Sequence, residues 1–473
     1  PGLTGDDTRV QRGALIALDQ ISSQSLTRDA VAPLLATSDA DLQHAALDAI
    51  AKRPNWADEI IDLLRDALSS EQISPRDRAI IVGSVATFSE SDSLQALVAE
   101  TLVEQKTHVE TLLAILDAIG RIESANLPRQ WITPLGRLIQ HEDESVRRQT
   151  LATLIPFDAE SLHKSLRSLA NDTAQPDEIR VSALSLVARS GAEIEDLDFE
   201  LLIAQLQADV RPVDRLTSAN ALSAAALTTS QLTRLLEVMR EAGPLEIGAL
   251  LHSFQLAVQS ERITGEAATA IGMKLIESLA KAPGLPALPT ARIHKVFEPF
   301  PADVLNAARM NFPEDETADE TQRAKLNEIE EQIDSGDPES GRHMFFSNRI
   351  ACAGCHRVNG KGGAVGPDLS KIGRIRSTRQ LAEAVLLPSA TLANGFESYT
   401  IATKEGLVLT GLIGRETADS IYVIATDGRE SRVARSDIDE IQPSRVSIMP
   451  QGLDTQLTTA QLRDVVAFLS TLK

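Results

Sequence analysis

Cys352-Ala353-Gly354-Cys355-His356 contains both cysteines of the 473-residue chain and one of its eight histidines. Two thiols three positions apart, followed at once by an imidazole, have the spacing of a c-type haem attachment site. In such a site the thiols add to the two porphyrin vinyl groups and the two-residue spacer bridges the distance between them. The adjacent imidazole becomes the proximal iron ligand. Three other readings stay open beside this leading one. A thioredoxin-like dithiol uses the same C-x-x-C, but in a βαβ context that the flanks lack. A structural zinc site wants four ligands, and no second Cys/His pair is nearby. A disulfide across two residues would be strained.

The elements that must position these groups can be read on both sides. Gly341-Arg342-His343-Met344-Phe345-Phe346 reads as a short helix running into the motif, with Gly341 allowing a close helix crossing and Phe345 an apolar anchor. Gly360 to Leu369, rich in Gly and Pro, must bend tightly over a flat cofactor. In that loop the Pro367 carbonyl is the expected acceptor for the His356 Nδ1 hydrogen, which would fix the tautomer and raise ligand basicity. Leu462, Val465, Val466, Leu469 and Leu472 repeat at helical spacing. They predict a closing helix, capped by Thr458 or Thr459, that crosses the leading helix near Gly341 with Phe468 at the contact.

A sixth iron ligand is sought among five methionines. Met239, Met273 and Met310 precede the haem region, and Met344 suits packing on the leading helix. Met449, in Ser447-Ile448-Met449-Pro450, lies after the loop and before the closing helix, the position expected of an axial thioether. A lone methionine is more often core than ligand. His343 and an open or water-ligated site remain the competing readings.

The span from His356 to Met449 is long for a small cytochrome. Segments 398–403, 407–413, 421–425 and 431–433 are rich in β-formers, with Gly406, Asp419-Ser420 and Asp427-Gly428 as turns between them. Ile438–Ile441 would add a fifth short strand. The expectation is a small antiparallel β-barrel or sheet of SH3-like size, inserted over 396–446. Its expected role is structural, shielding one haem edge from solvent.

Taken together these residues resemble the haem-binding C-terminal domain of the large multidomain HEAT-repeat cytochromes, the membrane-bound dehydrogenase-like proteins of Planctomycetes and relatives. The matching residues are Gly341-Arg342 with Phe345, Cys352-x-x-Cys355-His356, Gly366-Pro367-Asp368-Leu369, Pro388-Ser389-Ala390, Gly406-x-Val408-Leu409-Thr410-Gly411 and Ser447-Ile448-Met449-Pro450-Gln451-Gly452-Leu453. The resemblance covers the last third of the chain closely and the rest only as architecture. It implies Met449 as the distal ligand and a sugar or alcohol dehydrogenase as electron donor. The propeller that those proteins often carry has no counterpart here, so dehydrogenase activity does not transfer.

The preceding residues carry a recurring pattern: an acidic turn, then a helix start with a basic residue and Ala-Leu. Examples are Thr8 to Leu15, Asp41 to Leu47, Ser145 to Leu151 and Glu178 to Leu184. Such units, about 32–37 residues apart, are characteristic of helix-pair repeats. The fold expected is therefore mainly α: a HEAT-like solenoid over 1–312, an acidic linker over 313–336, and a class I cytochrome c domain over 337–473. A generic helical bundle is the alternative for the first part. Ala324–Ile333 is read as a helical piece within the linker region.

Charge is divided unevenly. From Gly336 onward 16 Lys and Arg face 15 Asp and Glu, leaving 30 against 52 for the residues before it. An acidic array argues against nucleic acid as a partner. Near the motif Lys361, Lys371, Arg374, Arg376 and Arg379 cluster, suited to haem propionates, to steering an acidic redox partner, or simply to a solvated loop. No stretch is apolar enough to span a membrane, and no signal peptide is visible at Pro1. Covalent haem attachment is normally completed outside the cytoplasm, so the expected location is the periplasm or another extracytoplasmic space. The sequence is expected to be a mature fragment of a larger exported protein.

The function expected is electron transfer by one covalently bound haem c on a helical scaffold. No catalytic residue is assigned. The expected partners are a dehydrogenase donor and a cytochrome or oxidase acceptor. The alternatives are a haem sensor or peroxidase with an open sixth position, and an interaction scaffold in which the haem is secondary.

Overall fold

The structure is a computed structural model. It describes residues 2–5, 7–21, 26–35, 37, 39–51, 53, 56–70, 72–104, 106–122, 126–313, 326–328, 331, 335–347, 352–363, 365–389, 395–426, 428–444, 446–449 and 457–473. The chain divides into two compact units, Pro1–Ser190 and Gly191–Lys473.

In the first unit, helices begin at residues 8, 40, 75, 109, 144 and 177, and each packs on the next of that series. A second series, Ala57–Leu68, Asp92–Val103 and Arg129–Leu138, is stacked in the same way. Neighbour-on-neighbour stacking of helix pairs is the construction of an α-solenoid. Leu15, Leu42, Ile81, Ile115, Val146 and Leu184, one from each helix of the first series, are fully or almost fully buried between the layers. The basic residue of the repeated pattern also has a use. Arg12 pairs with Asp41, and Arg148 with Glu178 at 2.6 Å, each joining one helix to its successor.

The second unit begins with the same construction. Pro212–Ala224, Pro244–Gln259 and Thr290–Phe297 form one series, and Asp196–Ala204, Thr229–Met239, Gly265–Leu279 and Ala302–Asn311 the other. Here Arg215 pairs with Glu246, whose side chain is 3% exposed. The described part of the linker is small: 326–328 are helical and Leu326 is buried. The charge run 314–320 and most of the helical piece read at 324–333 lie outside the described residues.

The C-terminal helices follow. The leading helix, Pro338–Phe345, crosses the closing helix, Thr459–Thr471. Gly341 makes the crossing possible: a Cβ there would lie 1.9 Å from the Asp464 carbonyl oxygen. Phe345 and Phe468 meet with ring centroids 5.6 Å apart. Thr458 caps the closing helix, its side chain and that of Gln461 forming a reciprocal capping box. Thr378–Leu386 and the short helix Ile372–Ile375 pack on the same closing helix.

Two sheets complete the unit. β1 (Arg357–Val358) and β2 (Lys361–Gly362) form a hairpin beside the motif. β3 (Ser398–Thr403), β4 (Val408–Glu416), β5 (Ser420–Ile424), β6 (Glu430–Ala434) and β7 (Ile438–Pro443) form an antiparallel sheet in the order β6-β5-β4-β3-β7. With β6 and β7 at opposite edges it is an open sheet, not a closed barrel. Gly428, at the β5–β6 turn, has φ 77°; its neighbour Asp427 lies outside the described residues. The apolar face of the sheet, Ile401, Ile421, Val423, Val433, Ile438 and Ile441, shares a buried cluster with Val213, Leu216 and Leu245 of the helical series. Arg292 and Glu397 approach to 3.5 Å beside it. The insertion is thus docked on repeat helices, a partner its own sequence does not reveal.

Candidate functional site

Cys352–Cys355 forms a single helical turn, and the His356 amide continues it by donating to the Cys352 carbonyl at 2.9 Å. The helical turn puts both cysteines and the histidine within one short segment. The following loop is sewn to this turn. The amides of Gly363, Gly366 and Leu369 donate to the carbonyls of Ala353, Cys355 and Arg357, each at 2.8 Å. Between β1 and β2 the chain reverses at Asn359 and Gly360, with φ 50° and 76°. Positive φ at both turn residues is the I′ pattern that Asn-Gly favours. The Asn359-Gly360 dipeptide is the local sequence signal for this hairpin, one the stronger C-x-x-C-H motif beside it overshadows.

The loop also presses on the imidazole. A Cβ at Gly366 would lie 2.6 Å from His356 Cε1, and one at Gly362 would lie 2.2 Å from the His356 carbonyl oxygen. His356 Nδ1 donates to the Pro367 carbonyl at 2.9 Å. With Nδ1 so committed, Nε2 is the nitrogen left for a metal. Burial pushes the His356 pKa below the usual imidazole range, the Pro367 carbonyl opposing this in part. The ring is therefore held neutral, the form that ligates.

The cysteines are half-buried and unpaired. Burial pushes the Cys352 thiol up to about 11, with the neighbouring Cys355 adding to the rise. A redox-active dithiol needs a depressed thiol, so this environment does not suit the thioredoxin reading. Among the described residues no group of three or more His, Cys, Asp or Glu is gathered to hold a zinc ion. Cys352, Ala353 and Leu369 pack at the edge of the cluster formed by Phe345, Phe468 and their neighbours. An apolar wall, two thiols, a neutral oriented imidazole and a glycine-rich loop whose Gly362, Gly363 and Gly366 lie against the motif fit a flat porphyrin bound through its vinyl groups.

The other site residues fall as follows. Met449 is half-buried and its amide donates to Ser447 Oγ at 3.1 Å. Pro450–Leu453 of the quoted motif lie outside the described residues. His343 is exposed on the leading helix, while Met344 packs against the C-terminal core. Met239 is buried in the array, and Met273 and Met310 are exposed on it. Of the basic cluster, Lys361, Lys371, Arg374 and Arg379 are exposed and Arg376 is half-buried. His252 is half-buried and contacts Gln255, with no metal-like set around it among the described residues.

A family model for cytochrome c matches residues 339–405, which spans the leading helix, the CxxCH turn, the glycine loop and the start of the sheet. No curated protein matches the chain. Among solved structures the chain is similar to importin beta, crystallised in an ammonium sulfate condition, with 14% identity and a TM-score of 0.37. That match covers 75% of this chain and 49% of importin beta, so the chain spans about half of that structure's length. Among the described residues no helix is long and apolar enough to cross a membrane. The fold is mainly α: a HEAT-like helical array, a C-terminal cytochrome c domain and small antiparallel sheets.

Proposed function

We propose that this protein is a monohaem c-type cytochrome that carries electrons, mounted on its helical array as a scaffold. The observation that carries the reading is the His356 imidazole, held through Nδ1 by Pro367 and pressed by Gly366, one residue beyond a helical turn that bears both cysteines. Haem c, when bound, supplies a one-electron ferrous/ferric couple. Cys352 and Cys355 would hold it covalently, His356 Nε2 would ligate one face, and the Met449 thioether the other. A thioether stabilises ferrous iron relative to a harder ligand and suits outer-sphere electron transfer. The Phe345–Phe468 core would back one side of the site with apolar side chains.

In this reading the helical array spans 1–312, an acidic linker 313–336 and the cytochrome domain 337–473, with 396–446 as its inserted sheet. The donor is a sugar or alcohol dehydrogenase, on a separate chain or a domain of a longer one, and the acceptor a cytochrome or oxidase. The site of action is periplasmic or otherwise extracytoplasmic, in a member of the planctomycete HEAT-repeat cytochromes. The exposed cations Lys361, Lys371 and Arg374 would attract an acidic partner.

The test is the spectrum and potential of the oxidised, haem-loaded protein. A Met–Fe(III) band is expected. Met449→His should lower the potential and abolish the band, Met449→Ala should admit carbon monoxide, and Met344→Leu should do neither. Unchanged spectra in the Met449 variants, together with a His343 variant that alters both readouts, would overturn the ligand assignment. Carbon monoxide binding by the unaltered ferrous protein as fast as by Met449→Ala would point to an open sixth position and a sensor or peroxidase.

A further inference from the structure

The chain leaves the cytochrome helices after Leu386 through Pro388-Ser389, builds the five-stranded sheet, and returns along β7 towards Met449. Four serines fasten that return. The Ser444 amide donates to the Ser398 carbonyl at 2.8 Å, and the Ser398 hydroxyl, on a fully buried residue, donates to the Val446 carbonyl at 2.5 Å. The Ser447 amide donates to Ser389 Oγ at 3.0 Å. The Met449 amide then donates to Ser447 Oγ at 3.1 Å. The last bond is local and common in turns. The Ser398 and Ser389 bonds are different in kind, because they join residues 48 and 58 positions apart.

The two anchors belong to different bodies. Ser389 follows the helix Thr378–Leu386, which packs on the closing helix. Ser398 opens β3, whose sheet is docked on Val213, Leu216 and Leu245 of the array. Ser447 is thus tied to the cytochrome core on one side, and Ser444 and Val446 to the sheet on the other. Methionine has three rotatable bonds and adapts its reach easily, so its backbone must be held if its sulfur is to arrive at one place.

We propose that Ser389, Ser398 and Ser447 are positioning residues for Met449, a role that rests on Met449 being the axial ligand. They hold the backbone from which the thioether is delivered and so set how often the sixth position is closed. Losing one such hydrogen bond should raise the open fraction roughly fivefold.

The test uses the full chain loaded with haem and compares Ser389→Ala, Ser447→Ala, the double variant and Met449→Ala. The readouts are carbon monoxide binding to the ferrous protein, the Met–Fe(III) band, and haem retained after denaturation as proof of correct assembly. Each serine variant should bind carbon monoxide about fivefold faster and show a weaker band, with the double variant approaching Met449→Ala. Ser447→Thr keeps the hydroxyl and should behave as the unaltered protein, which guards against misfolding. If Met449→Ala opens the site while the alanine variants only lower the melting temperature and leave band and carbon monoxide binding unchanged, the positioning role is overturned. If Met449→Ala itself changes neither readout, the axial assignment fails, and that failure is separately visible.

Discussion

At Gly13, in the first helix of the array, a methyl group would find open space, whereas at Gly341 it would lie 1.9 Å from the Asp464 carbonyl oxygen. Gly362, Gly363, Gly366 and Gly373 are likewise crowded against backbone or the His356 ring. Most of the array uses its residues as members of a pattern, where one helix does what its neighbours do and a poor choice is diluted, with Gly272 and Gly284, crowded against Val304 and the Gly243 carbonyl, as exceptions. The cytochrome region uses them as individuals, because a rigid cofactor site has no second copy of any contact. Tolerance to substitution should therefore differ in kind between the two regions.

The largest effect tests that contrast directly. Cys352→Ala combined with Cys355→Ala should abolish covalent haem, read by whether acid–acetone strips all colour, and should leave helical circular dichroism from the array almost intact. A large loss of helix would mean that the array depends on the cofactor. Next, Gly341→Ala should destabilise the protein by about 3 kcal/mol, since a backbone carbonyl cannot step aside. Gly13→Ala should instead stabilise by about 0.5–1 kcal/mol. Urea midpoints would show the opposite signs, and equal signs would erase the distinction.

Arginine sharpens the same contrast within the array. Arg215→Met leaves Glu246 buried and unpaired and should cost about 2–3 kcal/mol, less than the full value for a buried pair because Arg215 keeps some solvent. Arg12→Met breaks the exposed pair with Asp41 and should cost under about 1 kcal/mol. The smallest effect concerns Lys295. Burial, and secondarily Arg376, hold its ammonium below the usual value of 10.5. A depressed folded pKa means that the unfolded chain binds more protons in the window up to 10.5. Stability should rise with pH through that window and be lost as pH falls through the folded value. Lys295→Met should flatten the rise, measured by urea midpoints at mildly and strongly alkaline pH.

The same contrast explains what the sequence made legible. Helix starts at 8, 40, 144 and 177 follow from a pattern repeated often enough to read, while those at 75 and 109 carry no such recognised signature. The cysteines, His356, the Pro367 loop and the Thr458 cap are readable because each is a local signal. The strands were found nearly in place, from 398–403 to 438–443, because β-branched runs separated by glycine turns are also local. Asn359-Gly360 was equally local and went unread beside the stronger motif. The docking of Ile438 and Ile441 on Val213, Leu216 and Leu245 left no such trace. Those residues satisfy the ordinary patterns of their own helix or strand, and nothing in either pattern names the other as partner. The Ser389–Ser447 bond is hidden for the same reason.

That bond has a topological consequence. Although 58 positions separate Ser389 and Ser447, the chain leaves and re-enters the cytochrome core at points one hydrogen bond apart. A guest fold added at a single point leaves its host's chain path unbroken, and surface sites of this kind are where insertions are tolerated. Each halving of the excursion would change closure entropy by only about 0.6 kcal/mol. The sheet is therefore excisable in principle from the host. Excision would leave the cytochrome helices closed on themselves but would remove the surface by which they are moored to the repeats.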